Sequence, residues 1–166
     1  AFKCYSTSTN NKNKISIVSE PLDDGLEMDF ENLNLNYYKN KNLLNDILEQ
    51  DYKWNLLDID NLWMINNKDL NQSSSNVIGS NSSQNGINVL INHTLPYQTN
   101  QENLASVRNF IERGFIWSCS EGPLLEEAVR NVKFKIFDAE ISHEAIYRSG
   151  GQIMPMAKRS CSSSIL

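Results

Sequence analysis

Few residues in this sequence have the types and spacing that catalysis or metal binding requires. The three cysteines, Cys4, Cys119 and Cys161, lie far apart in the chain, and none belongs to a CxxC pair. With only two histidines, His93 and His143, the sequence lacks the ligand set of a zinc site. We therefore interpret the cysteines as free thiols in a reducing compartment.

Neither covalent catalysis nor nucleotide binding finds support in the sequence. Cys119 and His143 would be a nucleophile and its base, but a predicted helix and a predicted strand separate them, and no third group orients the base. The phosphate-loop pattern GxxxxGK[ST] is absent, so this chain is not expected to bind GTP. Gly150-Gly151 before Pro155 offers an anion site at a helix start, although a tight structural turn is favoured. The sequence therefore predicts no catalytic residue, no metal and no cofactor in this chain.

Charge and hydrophobicity exclude other classes of protein. The net charge of −5 comes from the N-terminal part, since residues up to Asn67 carry 6 Lys and Arg against 11 Asp and Glu. From Glu102 onward the two counts are 8 and 8. An acidic chain is a poor general nucleic-acid binder, because phosphate neutralisation supplies most non-specific affinity, so only a local basic patch would contact RNA. DNA binding is not expected, and no run approaches the roughly 18 apolar residues of a membrane span.

The stretch from residue 114 to 159 is interpreted as the centre of the fold. Gly122-Pro123 predicts the start of a short helix that ends at Asn131. A long strand, VKFKIFDAEIS, follows, and its apolar residues change from even to odd positions after Ile136. Such a change of phase predicts a bulge near Ile136–Asp138. The Gly-Gly sequence then predicts a sharp turn before a helix that starts at Pro155.

The rest of the chain supplies further strands and helices. Residues 1–20 predict a hairpin with a polar turn, and residues 87–91 predict a strand. A capping box at Thr99–Glu102 predicts a helix that Gly114 closes, and Phe115 and Trp117 are expected in the core. Other apolar positions are expected to face inward: Leu43, Leu44, Ile47, Leu48, Tyr52, Trp54, Leu57, Trp63, Leu104, Val107, Phe110 and Ile111.

Domain organisation follows from length and composition. A chain of 166 residues supports one domain with a core, spanning 1–166. We interpret it as excised from a larger protein and incomplete at its C-terminus, because the chain stops within a predicted helix. The Asn/Ser-rich segment at about 66–86 has too few apolar residues to offset its ordering entropy and is predicted to be a disordered insertion.

Three motifs carry a resemblance to a known family. They are GFxW from Gly114, EGPLxEExxRNVKFKIxDAxI from Glu121 and RxGGQIxPxAxR from Arg148. Together they resemble the fourth domain of translation elongation factor 2 and its paralogues. The sequence RNVKFKI, the TLP after His93 and the Glu-Pro-Leu that starts at Glu20 are most similar to the spliceosomal branch, the GTPase of the U5 small nuclear ribonucleoprotein (U5 snRNP).

The resemblance implies both a fold and a functional surface. The fold is α/β (α+β), a mixed sheet with helices on one face, like the second domain of ribosomal protein S5. In this family two loops, here Asn10–Lys14 and Glu144–Gln152, lie together at the far end of the domain; we call them the tip loops. They are expected to contact partners through Asn11, Lys12, Asn13, Lys14, Tyr147, Arg148, Ser149, Gly150, Gly151 and Gln152. Lys12, Lys14 and Arg148 are expected to form a small basic patch there.

Tyr147 separates the functions that the resemblance allows. Elongation factor 2 has at this position a histidine that becomes diphthamide, and a phenol cannot accept that modification. The spliceosomal branch normally keeps an unmodified histidine there, so Tyr147 departs from both patterns. The favoured function is therefore a nuclear, non-catalytic domain of a splicing GTPase that couples GTP state to spliceosome activation and helicase control. The expected partners are the large U5 snRNP scaffold protein and the snRNA helicase, with a possible snRNA contact, whereas GTP and magnesium belong to the parent protein outside this chain. A ribosomal translocase domain and an independent S5-like RNA-binding module are the alternatives.

Overall fold

The computed structural model describes residues 3–32, 41–67, 86–122 and 128–166. The five strands are β1 (Cys4–Thr7), β2 (Lys14–Pro21), β3 (Leu62–Asn67), β4 (Ile87–Asn92) and β5 (Val132–Glu140). The helices are α1 (Leu26–Asn32), α2 (Lys41–Gln50), α3 (Leu56–Asp60), α4 (Gln101–Ser106), α5 (Arg108–Glu121) and α6 (Gly150–Ile165), with a 3-10 turn at Ala145–Tyr147. No helix within these ranges has the length and apolar character needed to cross a bilayer.

The described strands form one mixed sheet in the order β1-β2-β5-β4-β3. β1 pairs with β2, β2 with β5 and β3 with β4 in antiparallel fashion, while β4 and β5 run parallel at the centre. The sheet and its helices confirm the predicted α+β fold class, and β1 and β2 confirm the N-terminal hairpin. The edge strand β3 was missed, because its sequence reads as the continuation of a helical region.

The predicted bulge lies in β5, opposite β2. Ser16 pairs with Asp138 but the next residue, Ile17, pairs with Ile136, so Phe137 is the extra residue. Phe134 and Ile136 are buried before the bulge and Ala139 is buried after it. The bulge therefore keeps the apolar side chains of both halves on the same face.

One face of the sheet is covered by α5 and α6. Its core includes Ile15, Phe134 and Ile153. The inward-facing residues predicted for α4 and α5 are confirmed. Leu104, Val107 and Ile111 are buried, Phe110 packs against this core and Phe115 is fully buried.

Several details on this face differ from the sequence-based expectation. Trp117 is 39% exposed, with the Lys158 Nζ atom 4.0 Å from its ring centroid, so its placement in the core was wrong. Asn100, and not Thr99, caps α4 by accepting a hydrogen bond from the Asn103 backbone N–H at 3.0 Å. In both cases the prediction located the right stretch of chain but assigned the role to the wrong residue within it.

Gly114 does not close a helix but lies inside α5, where α5 crosses α6. A Cβ atom at Gly114 would lie 2.7 Å from the backbone oxygen of Met154 and 2.8 Å from the Cβ of Ala157. Both distances are shorter than van der Waals contact. The glycine therefore permits the close approach of the two helices.

The opposite face of the sheet carries a second group of helices, α1 to α3, over β3 and β4. Leu44, Leu48 and Trp54 are buried there, as predicted. Leu43 and Leu57 are 48% and 66% exposed, so their inward placement was wrong. Because α1 to α3 pack on this face, helices cover parts of both faces and not one alone.

Two predicted segments fall largely outside the described residues. Of the Asn/Ser-rich stretch at 66–86, Asn66 and Asn67 end β3 and Gly86 precedes β4, and the remainder lies outside. Of the helix predicted from Gly122 to Asn131, residues 123–127 lie outside and 128–130 are not helical. Gly122 ends α5, which continues to Glu121, instead of starting a new helix.

Candidate functional site: the tip loops

The first tip loop is a tight turn between β1 and β2. The backbone N–H of Ser8 donates to the Asn13 carbonyl at 2.9 Å, and the Asn11 N–H donates to the Ser8 carbonyl at 2.9 Å. Asn11 has a φ of 57°, in the left-handed region that asparagine adopts more readily than most residues. The polar sequence of this loop thus forms a closed turn.

Asn13 joins this turn to the end of β5 and to the second tip loop. The residue is 1% exposed. Its Nδ2 donates to the Tyr147 carbonyl at 2.7 Å and to the Ser8 hydroxyl at 3.1 Å. Its Oδ1 accepts a hydrogen bond from the Ser142 N–H at 2.9 Å. One carboxamide therefore holds three parts of the chain together.

A second set of hydrogen bonds joins the two tip loops directly. The Gln152 Oε1 atom accepts from the Thr9 hydroxyl at 2.7 Å and from the Asn10 backbone N–H at 3.1 Å. The Asn10 Nδ2 atom donates to the Tyr147 carbonyl at 2.9 Å. The two loops lie side by side, as the resemblance implies, and they form one surface.

Lys12, Ile146 and Tyr147 are large side chains exposed on this surface. Ile146 is 77% exposed and Tyr147 is 37% exposed. The Lys12 Nζ atom lies 5.5 Å from the Tyr147 ring centroid, within cation–π range. The ring of Tyr147 is open to solvent, while its backbone carbonyl is hydrogen-bonded to the neighbouring loop.

Arg148 is half-buried and donates hydrogen bonds within the domain. Its Nη1 donates to the carbonyls of Ser142 and His143, each at 3.0 Å, and lies 3.5 Å from the Asn103 Oδ1. The guanidinium therefore holds the end of β5 in place. Since these contacts are structural, reversing the charge of Arg148 is expected to destabilise the domain.

Lys14 also points away from the loops. It lies in β2, with its Nζ 4.3 Å from the Tyr5 ring centroid. It lines a polar cleft of about 270 Å³ together with Ser16, Gln98, Thr99, Asp138, Ala139 and Glu140. Of the three predicted basic residues, Lys12 alone belongs to the exposed surface of the tip loops.

The Gly-Gly sequence starts a helix and does not form a turn. Gly150 and Gly151 are the first two residues of α6, Ser149 precedes them as the N-cap, and Pro155 lies within the helix. A Cβ atom at Gly150 would lie 2.9 Å from the Phe110 ring, whereas one at Gly151 would meet nothing within 4 Å. The first glycine is needed for packing of the tip against α5.

The residues considered for chemistry are not brought together. Cys119 is buried, and burial raises the pKa of its thiol to about 12. Burial also raises the pKa of Cys161. The His143 Nδ1 atom is hydrogen-bonded to the Asn103 carboxamide at 2.8 Å. Within the described residues no group of three His, Cys, Asp or Glu side chains is placed to hold a metal ion.

Comparisons with known proteins give a consistent result. A family described as elongation factor G, domain IV, matches residues 64–166. The whole chain is 36% identical to the pre-mRNA-splicing factor cwf10 of Schizosaccharomyces pombe and 36% identical to the 110 kDa U5 small nuclear ribonucleoprotein component CLO of Arabidopsis thaliana. It is 35% identical to the 109 kDa component GFL of the same plant. The chain spans 15–16% of the length of these relatives.

Proposed function

Because this chain belongs to the elongation factor G domain IV family, we propose that it is a non-catalytic domain of a spliceosomal, translation-factor-like GTPase. The observation that carries the proposal is the match of the entire chain to a pre-mRNA-splicing factor and to U5 snRNP components. Such components work in the nucleus, and we infer a nuclear location for this protein as well.

In this proposal the domain acts through contacts of the tip loops. Asn13 and Gln152 tie the two loops into one surface, so a movement of the domain moves that surface as a unit. GTP and magnesium are bound by another part of the parent protein. The nucleotide state there shifts the tip loops against the large U5 scaffold protein and the snRNA helicase, and thereby controls spliceosome activation.

Two alternatives are less well supported. A ribosomal translocase domain would use a modified histidine where this chain has Tyr147, and a phenol cannot carry that modification. An independent RNA-binding module would need a cluster of cations, but Arg148 is hydrogen-bonded to backbone carbonyls and the chain has a net charge of −5.

The experiment that tests the proposal alters the tip loops in the full-length protein. Lys12→Glu combined with Tyr147→Ala changes two exposed side chains while it leaves the Tyr147 carbonyl and its hydrogen bonds in place. We expect the variant protein to be recovered with U5 particles at a clearly reduced level and to splice a reporter transcript less efficiently.

The control is Lys41→Glu, which reverses an exposed charge at the start of α2. It is expected to leave assembly and splicing unchanged. Normal assembly and splicing by the double tip variant would show that the tip loops are not a contact surface.

A further inference from the structure

The 3-10 turn of the second tip loop projects a hydrophobic side chain into solvent. Ile146 is 77% exposed and is followed by Tyr147, whose ring is also accessible. Single exposed hydrophobic residues are common on protein surfaces. The turn at Ala145–Tyr147 is unusual because long-range hydrogen bonds hold its backbone in place.

Hydrogen bonds from distant parts of the chain hold the backbone of this turn in place. The Tyr147 carbonyl accepts hydrogen bonds from the Asn13 and Asn10 carboxamides at 2.7 and 2.9 Å. Directly after it, the Arg148 guanidinium binds the carbonyls of Ser142 and His143. A side chain on a fixed backbone loses little conformational freedom when it binds, so preorganisation of this kind favours affinity.

The charges of this surface do not suit a nucleic acid. Lys12 is the one cation that it presents within the described residues, and Glu144 is exposed on the same loop as Ile146. Phosphate binding requires several cations that are free to release counterions. The Lys12 ammonium also lies over one face of the Tyr147 ring, where a base would otherwise stack.

We propose that Ile146 is an anchor residue that inserts into an apolar pocket of a protein partner, and that Lys12 and Tyr147 form the polar rim of the contact. The cores of protein interfaces are apolar and are surrounded by a polar rim, and the exposed Ile146 with Lys12 and Tyr147 near it matches that arrangement. The inference rests on the proposed function and adds to it the residue that makes the central contact with a protein partner.

The test uses photocrosslinking in the full-length protein. A benzophenone amino acid replaces Ile146, the protein is assembled into purified U5 particles, and adducts are identified by mass spectrometry and by primer extension on the RNA. The control carries the same group in place of Met28, which is 59% exposed on α1. We expect irradiation to join position 146, but not position 28, to the wall of an apolar pocket in a protein of the particle.

A binding measurement accompanies the crosslink. Ile146→Ser should weaken retention in the particle at least tenfold, which is the size of effect seen at interface anchors, whereas Met28→Ser should not. Both substitutions are at exposed positions and should leave the melting temperature unchanged.

The other outcomes separate this inference from the proposed function. Adducts to RNA alone would overturn the protein partner while the tip loops remained a contact surface. If position 146 gave no adduct and Ile146→Ser bound normally, the anchor would be refuted. The Lys12 and Tyr147 double variant would then decide whether the tip loops act at all.

Discussion

Replacing Asn13 by alanine should uncouple the tip loops from each other and from β5. The substitution removes the two donors to the Tyr147 carbonyl and the Ser8 hydroxyl and the acceptor of the Ser142 N–H. The part-buried amide of Ser142 then loses its partner, and an unsatisfied donor costs about 1–3 kcal/mol when it is buried and less where water reaches it. The Tyr147 carbonyl keeps its bond from Asn10, so the lost bonds there add the net value of a hydrogen bond, about 0.5–1.5 kcal/mol.

The expected loss for Asn13→Ala is therefore about 2–4 kcal/mol in the free energy of unfolding. For a protein of this size it corresponds to roughly 5–15 °C in melting temperature. Urea unfolding monitored by circular dichroism measures the free energy. Amide exchange should show faster exchange at Ser142 in particular.

The matched control is Asn109→Ala, since Asn109 is exposed on α5. Its effect is expected to stay within about 0.5 kcal/mol. If Asn13→Ala lost less than 1 kcal/mol and exchange at Ser142 were unchanged, Asn13 would not be the residue that joins the loops.

Three further predictions concern single positions. Gly114→Ala should lower the free energy of unfolding in urea by about 1–3 kcal/mol, because the added Cβ meets the backbone of α6. An unchanged free energy of unfolding would mean that the two helices separate at little cost. Arg148→Glu should destabilise the protein by about 1–3 kcal/mol, because the contacts with two backbone carbonyls are lost. The control Lys12→Glu should have almost no effect on stability. Equal melting temperatures for the two variants would contradict the assignment of Arg148 as a structural residue. Burial raises the pKa of Cys119 to about 12, so this thiol should react with a thiol reagent at pH 8 only after unfolding. The less buried Cys4 should react in the folded protein. Rapid labelling of Cys119 in the native state would show that this part of the core opens.

The sequence was informative where a pattern is local. The change of apolar phase after Ile136 predicted the bulge at Phe137, because burial alternates along a strand with a period of two. The N-terminal hairpin was equally clear.

Residues that usually mark the ends of helices were misleading. Gly114 lies within α5 because the close packing of α5 on α6 requires a glycine there, and this tertiary contact outweighs its local propensity. Pro155 lies within α6, which already starts at Gly150, so the proline does not mark the start of the helix.

The roles of Asn13 and Arg148 were beyond the sequence for a different reason. Arg148 was placed in a basic patch by its charge, and only the structure shows that its guanidinium donates to the carbonyls of Ser142 and His143, just after β5. Asn13 reaches partners 129 and 134 positions away in the chain, and no periodicity carries such information. The sequence analysis did not single out Ile146, whose exposure is shown by the structure, although a hydrophobic residue in a polar loop is a usable signal.

The parallel pairing of β4 and β5 determines which changes of length the domain can absorb. β4 begins beside the start of β5, with Asn88 opposite Val132, and β5 ends beside the tip loops. The chain between Asn67 and Gly86 consequently departs from and rejoins the sheet at the pole remote from the tip. A change in the length of that connection is therefore expected to leave the tip loops in place.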